Sequence, residues 1–290
     1  MPDLSLAFIT AIWGTTFVVN ELVLKDAPPL MFLAVRFALA AAVLLAFARG
    51  TRHTPGLVRD SLIIGSLLAV SIGCQLAGQV YTTASKTAFI TGLSVPLTPI
   101  IAYLVARKLP SRANFQGLVL AVAGFVVLAW PKDATRLEPG DALVFLTAVI
   151  YGYIIFYMGE VASRHNARRF AAGQISGAAI CFLIGRFVIW PFLPKSGAFA
   201  AMEARPLPPT TGFWISVLWM ALIATVLTFI VQTWAQARMP ANHAALIFSM
   251  EPVWTALFAA MMLGERMTNR EIAGGALILV GILAAERREC

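Results

Sequence analysis

Runs of about twenty apolar residues recur from one end of this chain to the other. Each is long enough to cross roughly 30 Å of hydrocarbon as a helix. A backbone in lipid must satisfy its own hydrogen bonds, so runs of this length leave few folds other than a helical bundle. The remaining composition agrees. Of 290 residues, 59% are hydrophobic and 12% charged, with mean hydropathy +0.81. That is too little charge to cover a soluble domain of this size. The expected fold class is an all-α integral membrane protein. Ten segments read as helices: about 4–24, 29–48, 59–81, 85–106, 113–130, 141–159, 170–193, 212–237, 241–263 and 270–286.

Short clusters of turn and charged residues separate the segments, among them "KDAPP", "RGTRHTPG" and "RKLPSR". One connection is long, residues 194–210. The start "MPDLSLAFITAIWG" lacks the basic opening of a secretory signal, so the first span is expected to be uncleaved. The net charge of +8 comes from scattered loop residues, and no basic run is long enough for nucleic acid. If the N-terminus is cytoplasmic, the inner loops hold twelve Lys and Arg and the outer loops eight. The positive-inside rule therefore places both termini in the cytoplasm, in a multi-pass protein of the cytoplasmic (inner) membrane.

A copy lies within the chain. Shifted by 157 residues, positions 75–124 align without a gap on 232–281, with ten identities. Gln75 meets Gln232, Gln79 meets Gln236, Thr98 meets Thr255, and Gly117 and Gly124 meet Gly274 and Gly281. The opening of each half aligns at a shift of 138, where "IWG" at 12–14 meets "IYG" at 150–152. The two shifts differ by one insertion, at the long connection. Residues 1–137 and 138–290 are thus two five-helix repeats. Five is odd, so the second repeat enters the membrane from the opposite side. Inverted repeats around a central cavity are the architecture of alternating access.

These features resemble the drug/metabolite transporter superfamily, in its ten-helix EamA-type branch. The likeness is carried by "WGTTFVVN" at 13–20, Pro28, Pro29 and Arg36, "TASKTAFITGLSVPLTPI" at 83–100, and "SMEPVWTALFAAMMLGERMTNREIAGGALILVGI" at 249–282. It covers nearly the whole chain. The resemblance implies two inverted five-helix bundles around a cavity, and transport of a small molecule. Within the superfamily the chain looks most like the bacterial aromatic-amino-acid exporters. It departs in one place: the repeat counterpart of Arg36 is Gln174.

Polar side chains inside spans must face a partner helix or water, so they are the candidate site. Gln75 and Gln79 share a helical face, as do Gln232 and Gln236; they either line the path or tie helices together. Trp13, Thr16 and Asn20 fall on one face of the first span. Tyr151 is the counterpart of Trp13, and the two rings could stack a flat substrate between them. Trp234 is a further aromatic candidate. Lys86 and His243 are counterparts that open equivalent spans, as a gate, a carboxylate attractor, or a snorkelling and a packing residue respectively. Arg36 and Arg186 are expected to pair or to reach a carbonyl. Glu251 sits near the middle of its span, beside Pro252, where an ionised carboxylate costs from about 3 kcal/mol to above ten. It either binds a substrate ammonium, titrates with transport, or holds the bend as a neutral acid. Paired proline interruptions, Pro96 and Pro99 against Pro252, point to a midplane site.

The rival classes lack their signatures. There is no HExxH, GxSxG or phosphate loop, and Cys74, Cys181 and Cys290 show no metal spacing. An enzyme is not expected, nor a cofactor or metal. The expected partners are a small-molecule substrate and the lipid bilayer; the number of copies is left open, a monomer included.

Overall fold

The computed structural model describes residues 1–82, 84–129, 138–263 and 269–286. The fold is all-helical. The first repeat contains α1 (Pro2–Leu24), α2 (Pro29–Phe47), α3 (Leu57–Gln79), α4 (Ala84–Gly92), α5 (Ser94–Ala106) and α6 (Arg112–Ala129). The second contains α7 (Pro139–Val161), α8 (Ala167–Ile184), a short α9 (Gly197–Glu203), α10 (Thr211–Leu218), α11 (Thr228–Gln236), α12 (Ala241–Phe248), α13 (Glu251–Leu263) and α14 (Asn269–Glu286). A π-helical stretch, Trp219–Leu227, joins α10 to α11. Taken as continuous spans, α4–α5, α10–α11 and α12–α13 each cross once. Among the described residues, eight spans are long and apolar enough for a membrane, and α6 and α14 hold shorter apolar helices. The boundary expected at 137/138 falls on the edge of the undescribed segment 130–137.

Local chemistry explains where the helices start. Asn166 Oδ1 accepts the backbone N–H groups of Arg168 and Arg169 and caps α8. Asp141 Oδ2 accepts the N–H of Glu138 at the start of α7 (2.8 Å). Pro28 and Pro29 open α2 but bring no side-chain cap. The inserted helix α9 supplies one: Glu203 Oε2 accepts the N–H of Leu30 at 2.7 Å, and Glu203 Oε1 stands 2.7 Å from Arg186 Nε. Burial pushes the Glu203 carboxyl above its ordinary range, against the pull of Leu30 N–H and Arg186. The long connection is therefore a strap that caps α2, and Arg186 is paired, as expected.

The repeat is visible in the helix ends. α5 and α6 begin and end 157 residues before α13 and α14. α4 and α12 break at the same place, before Ser94 and Glu251, each just upstream of its proline. The contacts between repeats come in antisymmetric pairs. A Cβ on Gly124 would stand 2.6 Å from Gly274 O, and one on Gly281 would stand 2.6 Å from Gly117 O. Gly14 of α1 packs on Trp254 and Thr255 of α13; its counterpart Gly152 of α7 packs on Leu97 and Ser94 of α5. The two halves thus interlock about a pseudo-two-fold axis lying across the spans. Small residues allow each close crossing, as does the Gly173/Gly177 pair against Ser61 and Gly65 of α3.

Because the repeats are inverted, the bundle has two distinct ends. One, the N-terminal end, carries Met1 and the loops after α2, α5, α7 and α11. The other, the far end, carries the loops after α1, α3 and α8. Arg107 lies at the N-terminal end. Its counterpart region opens α14, where Arg270 Nε donates to Val127 O near the last turn of α6, at the far end. Arg266 itself lies outside the described residues.

Candidate functional site

A cavity of about 60 Å³ lies where the two repeats meet. Its wall comes from α1 (Trp13, Thr16, Phe17, Asn20), α2 (Arg36), α3 (Leu68, Ser71, Ile72, Gln75), α4 (Thr91), α7 (Thr147, Tyr151), α11 (Phe229) and α13 (Glu251). It runs from the middle of the spans toward the far end. The break before Glu251 brings this carboxylate to the cavity in the first turn of α13. Among the described residues its carboxylate has no hydrogen-bond or ion-pair partner. Drug-sized pockets occupy roughly 300–1,000 Å³. The cavity seen here is contracted, with room for a few water molecules.

Of the twelve residues singled out from sequence, six line this space: Trp13, Thr16, Asn20, Gln75, Tyr151 and Glu251. Asn20 is buried and its Oδ1 has no hydrogen-bond partner among the described residues. Gln75 Nε2 donates to Thr91 Oγ1 (3.0 Å). Trp13 Nε1 donates to Thr228 Oγ1 (3.2 Å), which fixes the indole. Trp13 and Tyr151 do not stand apart with a gap between them. Their centroids are 6.4 Å apart at 77°, an edge-to-face contact, and Phe229 and Phe248 pack on the same indole. In this state the two rings are each other's neighbours, and no flat ring fits between.

The other six lie outside the wall. Gln79 Nε2 donates to Phe17 O (3.2 Å), and Gln236 Nε2 to Ile155 O (3.3 Å). These are the same bond in the two repeats, because Phe17 and Ile155 are counterparts at the 138 shift. Each ties the third span of its repeat to the first. Gln232 donates to Gln236 Oε1 (3.0 Å) and lies beside the Tyr151 phenol, which has Glu251 nearby. Gln232 therefore sits one contact behind the cavity. Trp234 is at the N-terminal end, where Arg238 lies over its ring at 4.5 Å.

Lys86 and His243 form a matched pair of bridges between the repeats. Lys86 Nζ of α4 meets Asp141 Oδ2 of α7 at 2.5 Å, at the far end. His243 Nε2 of α12 meets Asp3 Oδ1 of α1 at 2.6 Å, at the N-terminal end, with Asn114 Oδ1 of α6 3.3 Å from Nδ1. Asp3 and Asp141 are counterparts at the 138 shift, as Lys86 and His243 are at 157. One inter-repeat contact to an aspartate has thus been kept at both ends with different partners, a lysine and a histidine. The far end is also the tighter: Gly78 and Gly140 touch backbone to backbone, and Ser71 and Thr147 exchange hydrogen bonds.

Sequence reasoning placed Arg36 among structural residues, and the structure also puts it in the cavity wall. Phe17, Ser71, Thr91, Thr147 and Phe229 were not singled out. No residue-type signal separates them from other small or aromatic residues of the spans. For Arg36 the missing counterpart in the second repeat was the available signal.

Known proteins share this organisation. A family model described as "EamA-like transporter family" matches residues 2–130 and again 138–285. An "uncharacterized transporter" of Archaeoglobus fulgidus is 29% identical over 99% of this chain and 86% of its own length. A "probable amino-acid metabolite efflux pump" of Salmonella typhimurium is 23% identical over 94% of this chain and 91% of its own. A solved crystal structure superposes with a TM-score of 0.74 over 98% of each chain at 17% identity, which bears on the fold.

Proposed function

The chain belongs to the EamA-like transporter family, a membrane-embedded transporter family and not an enzyme family, and from that premise we propose that it exports amino acids with aromatic or other hydrophobic side chains by alternating access. The observation that carries this reading is the cavity wall. It combines a carboxylate, two amides and a cluster of aromatic rings at the crossing of two inverted repeats. Glu251 and Asn20 suit an ammonium, and Trp13, Tyr151 and Phe229 suit an apolar side chain. The Salmonella relative, described as a probable amino-acid metabolite efflux pump, supports the amino-acid part of this reading. With the N-terminal end in the cytoplasm, as the loop charges favour, substrate enters past His243–Asp3 and leaves past Lys86–Asp141. Each bridge acts as the latch of its end. With both made, the structure is read as a contracted conformation, and loading requires the Trp13–Tyr151 contact to part.

Proteoliposomes given radiolabelled amino acids, with and without a pH gradient, test this. Saturable flux of phenylalanine, tryptophan or leucine, without product formation, is expected. Trp13→Ala should lower it at least tenfold. Non-saturating flux indicates a channel, and chemical conversion an intramembrane enzyme; either rejects the proposal. Flux confined to sugars or drugs keeps the transporter and rejects the substrate class.

A further inference from the structure

Arg36 is buried in the wall of the cavity, and its charge has no counter-ion among the described residues. Its Nε donates to Thr225 Oγ1 at 3.1 Å, and that hydroxyl in turn donates to Met220 O. This bond holds α2 to the π-helical stretch of the other repeat. A neutral side chain can do such work: the counterpart Gln174, fully buried, donates through Nε2 to Thr233 Oγ1 at 3.4 Å. In the second repeat an amide therefore makes a helix-to-hydroxyl tie of the same kind, there between two helices of its own repeat. The charge of Arg36 exceeds what the tie requires.

A guanidinium left unpaired inside a membrane bundle is costly. The two terminal nitrogens, not used by Thr225, form the fork that matches a carboxylate. Glu251 lines the same cavity and does not pair with Arg36. A guanidinium and a carboxyl group kept apart in one small space match a solute that carries both a carboxylate and an ammonium. We propose that Arg36 is the carboxylate anchor of the cavity, so that the site selects α-amino acids over amines with the same side chain. This deepens the amino-acid reading above and rests on it for the identity of the solute. Thr225 is a positioning residue, which orients the fork through Nε.

The test uses three probes that share one ring: L-phenylalanine, phenethylamine, which lacks the carboxylate, and 3-phenylpropionate, which lacks the ammonium. Their affinities are measured on the purified, reconstituted protein and on Arg36→Gln, Arg36→Lys and Glu251→Gln. Wild type should prefer phenylalanine to phenethylamine. R36Q should weaken phenylalanine about 10- to 100-fold while leaving phenethylamine nearly unchanged, which collapses the preference. R36K, which keeps the charge but loses the fork, should restore part of it. E251Q should weaken phenethylamine and spare 3-phenylpropionate. A general loss from misfolding would weaken all three probes together. An unchanged preference in R36Q, or equal loss of both ligands in R36Q and R36K, overturns the anchor. Binding of 3-phenylpropionate that depends on Arg36, without binding of phenylalanine, keeps the anchor and rejects the amino-acid reading. Binding of none of the three overturns both.

Discussion

The two ends of the bundle are built from counterpart residues and closed differently. At the far end an ammonium, Lys86, meets Asp141, and both side chains are buried: 12% and 8% exposed. At the N-terminal end an imidazole, His243, meets Asp3, whose side chain is 36% exposed. Behind the first pair, Gly78 and Gly140 press backbone on backbone. Behind the second, the counterparts are Ala235 and Pro2, a methyl group and a proline ring in place of the two glycines. A duplicated scaffold has kept the geometry of this contact and varied its burial. If the two contacts act as the proposed latches, the more buried one sets which side is closed at rest.

The largest effect that sharpens this contrast lies in the backbone crossing. Gly140→Leu places a side chain where Gly78 O already stands. It should cost roughly 2–4 kcal/mol or prevent folding, read as a fall in thermal midpoint in detergent. Pro2→Leu, at the counterpart position, should stay within about 0.5 kcal/mol. Equal effects would mean that the ends are alike.

Next come the latches. Lys86→Ala leaves Asp141 buried without its cation, and breaking a buried pair costs about 3–5 kcal/mol. The far end should then become strongly accessible to a membrane-impermeant thiol reagent at a cysteine placed near Thr82. His243→Ala leaves an aspartate partly in water, and the bias there should be about 1 kcal/mol or less. His243→Lys should make the ends alike, raising protection at the N-terminal end. A stronger response to H243A than to K86A would reverse the ranking of the two ends.

The smallest effect is expected at Lys108–Glu160, an exposed pair at the N-terminal end, with oxygens 2.6 and 2.7 Å from Nζ. Lys108→Ala should change stability by about 0.5 kcal/mol or less and leave transport rates alone. A large loss would make this pair part of the latch at that end.

Much of the architecture was legible in the sequence because hydropathy and repeat offset are properties of whole segments. The shift of 157 residues carries α5 onto α13 and α6 onto α14 end to end. The site was legible only in part. Gln75 and Gln79 do share a helical face, yet one reaches the cavity and the other, a turn further on, reaches Phe17 O. Spacing gives the face, and packing of the neighbouring helix decides what that face meets. The Trp13–Tyr151 equivalence was readable, but their contact depends on how far the repeats have closed. Arg36 was read as a structural cation. It does hold Thr225, and only the fold shows that the same side chain also borders the cavity. The asymmetry with Gln174 was in the sequence all along.

The most direct test locks one end at a time. With the native cysteines removed, cysteines replace Lys86 and Asp141 in one variant, and Asp3 and His243 in another, and each pair is bridged by a short bifunctional thiol reagent. If access alternates between the ends, either bridge alone abolishes net flux in proteoliposomes, and a cleavable bridge restores it on reduction. Full flux with one end fixed shut would contradict the account, because solute would then be passing without that end ever opening.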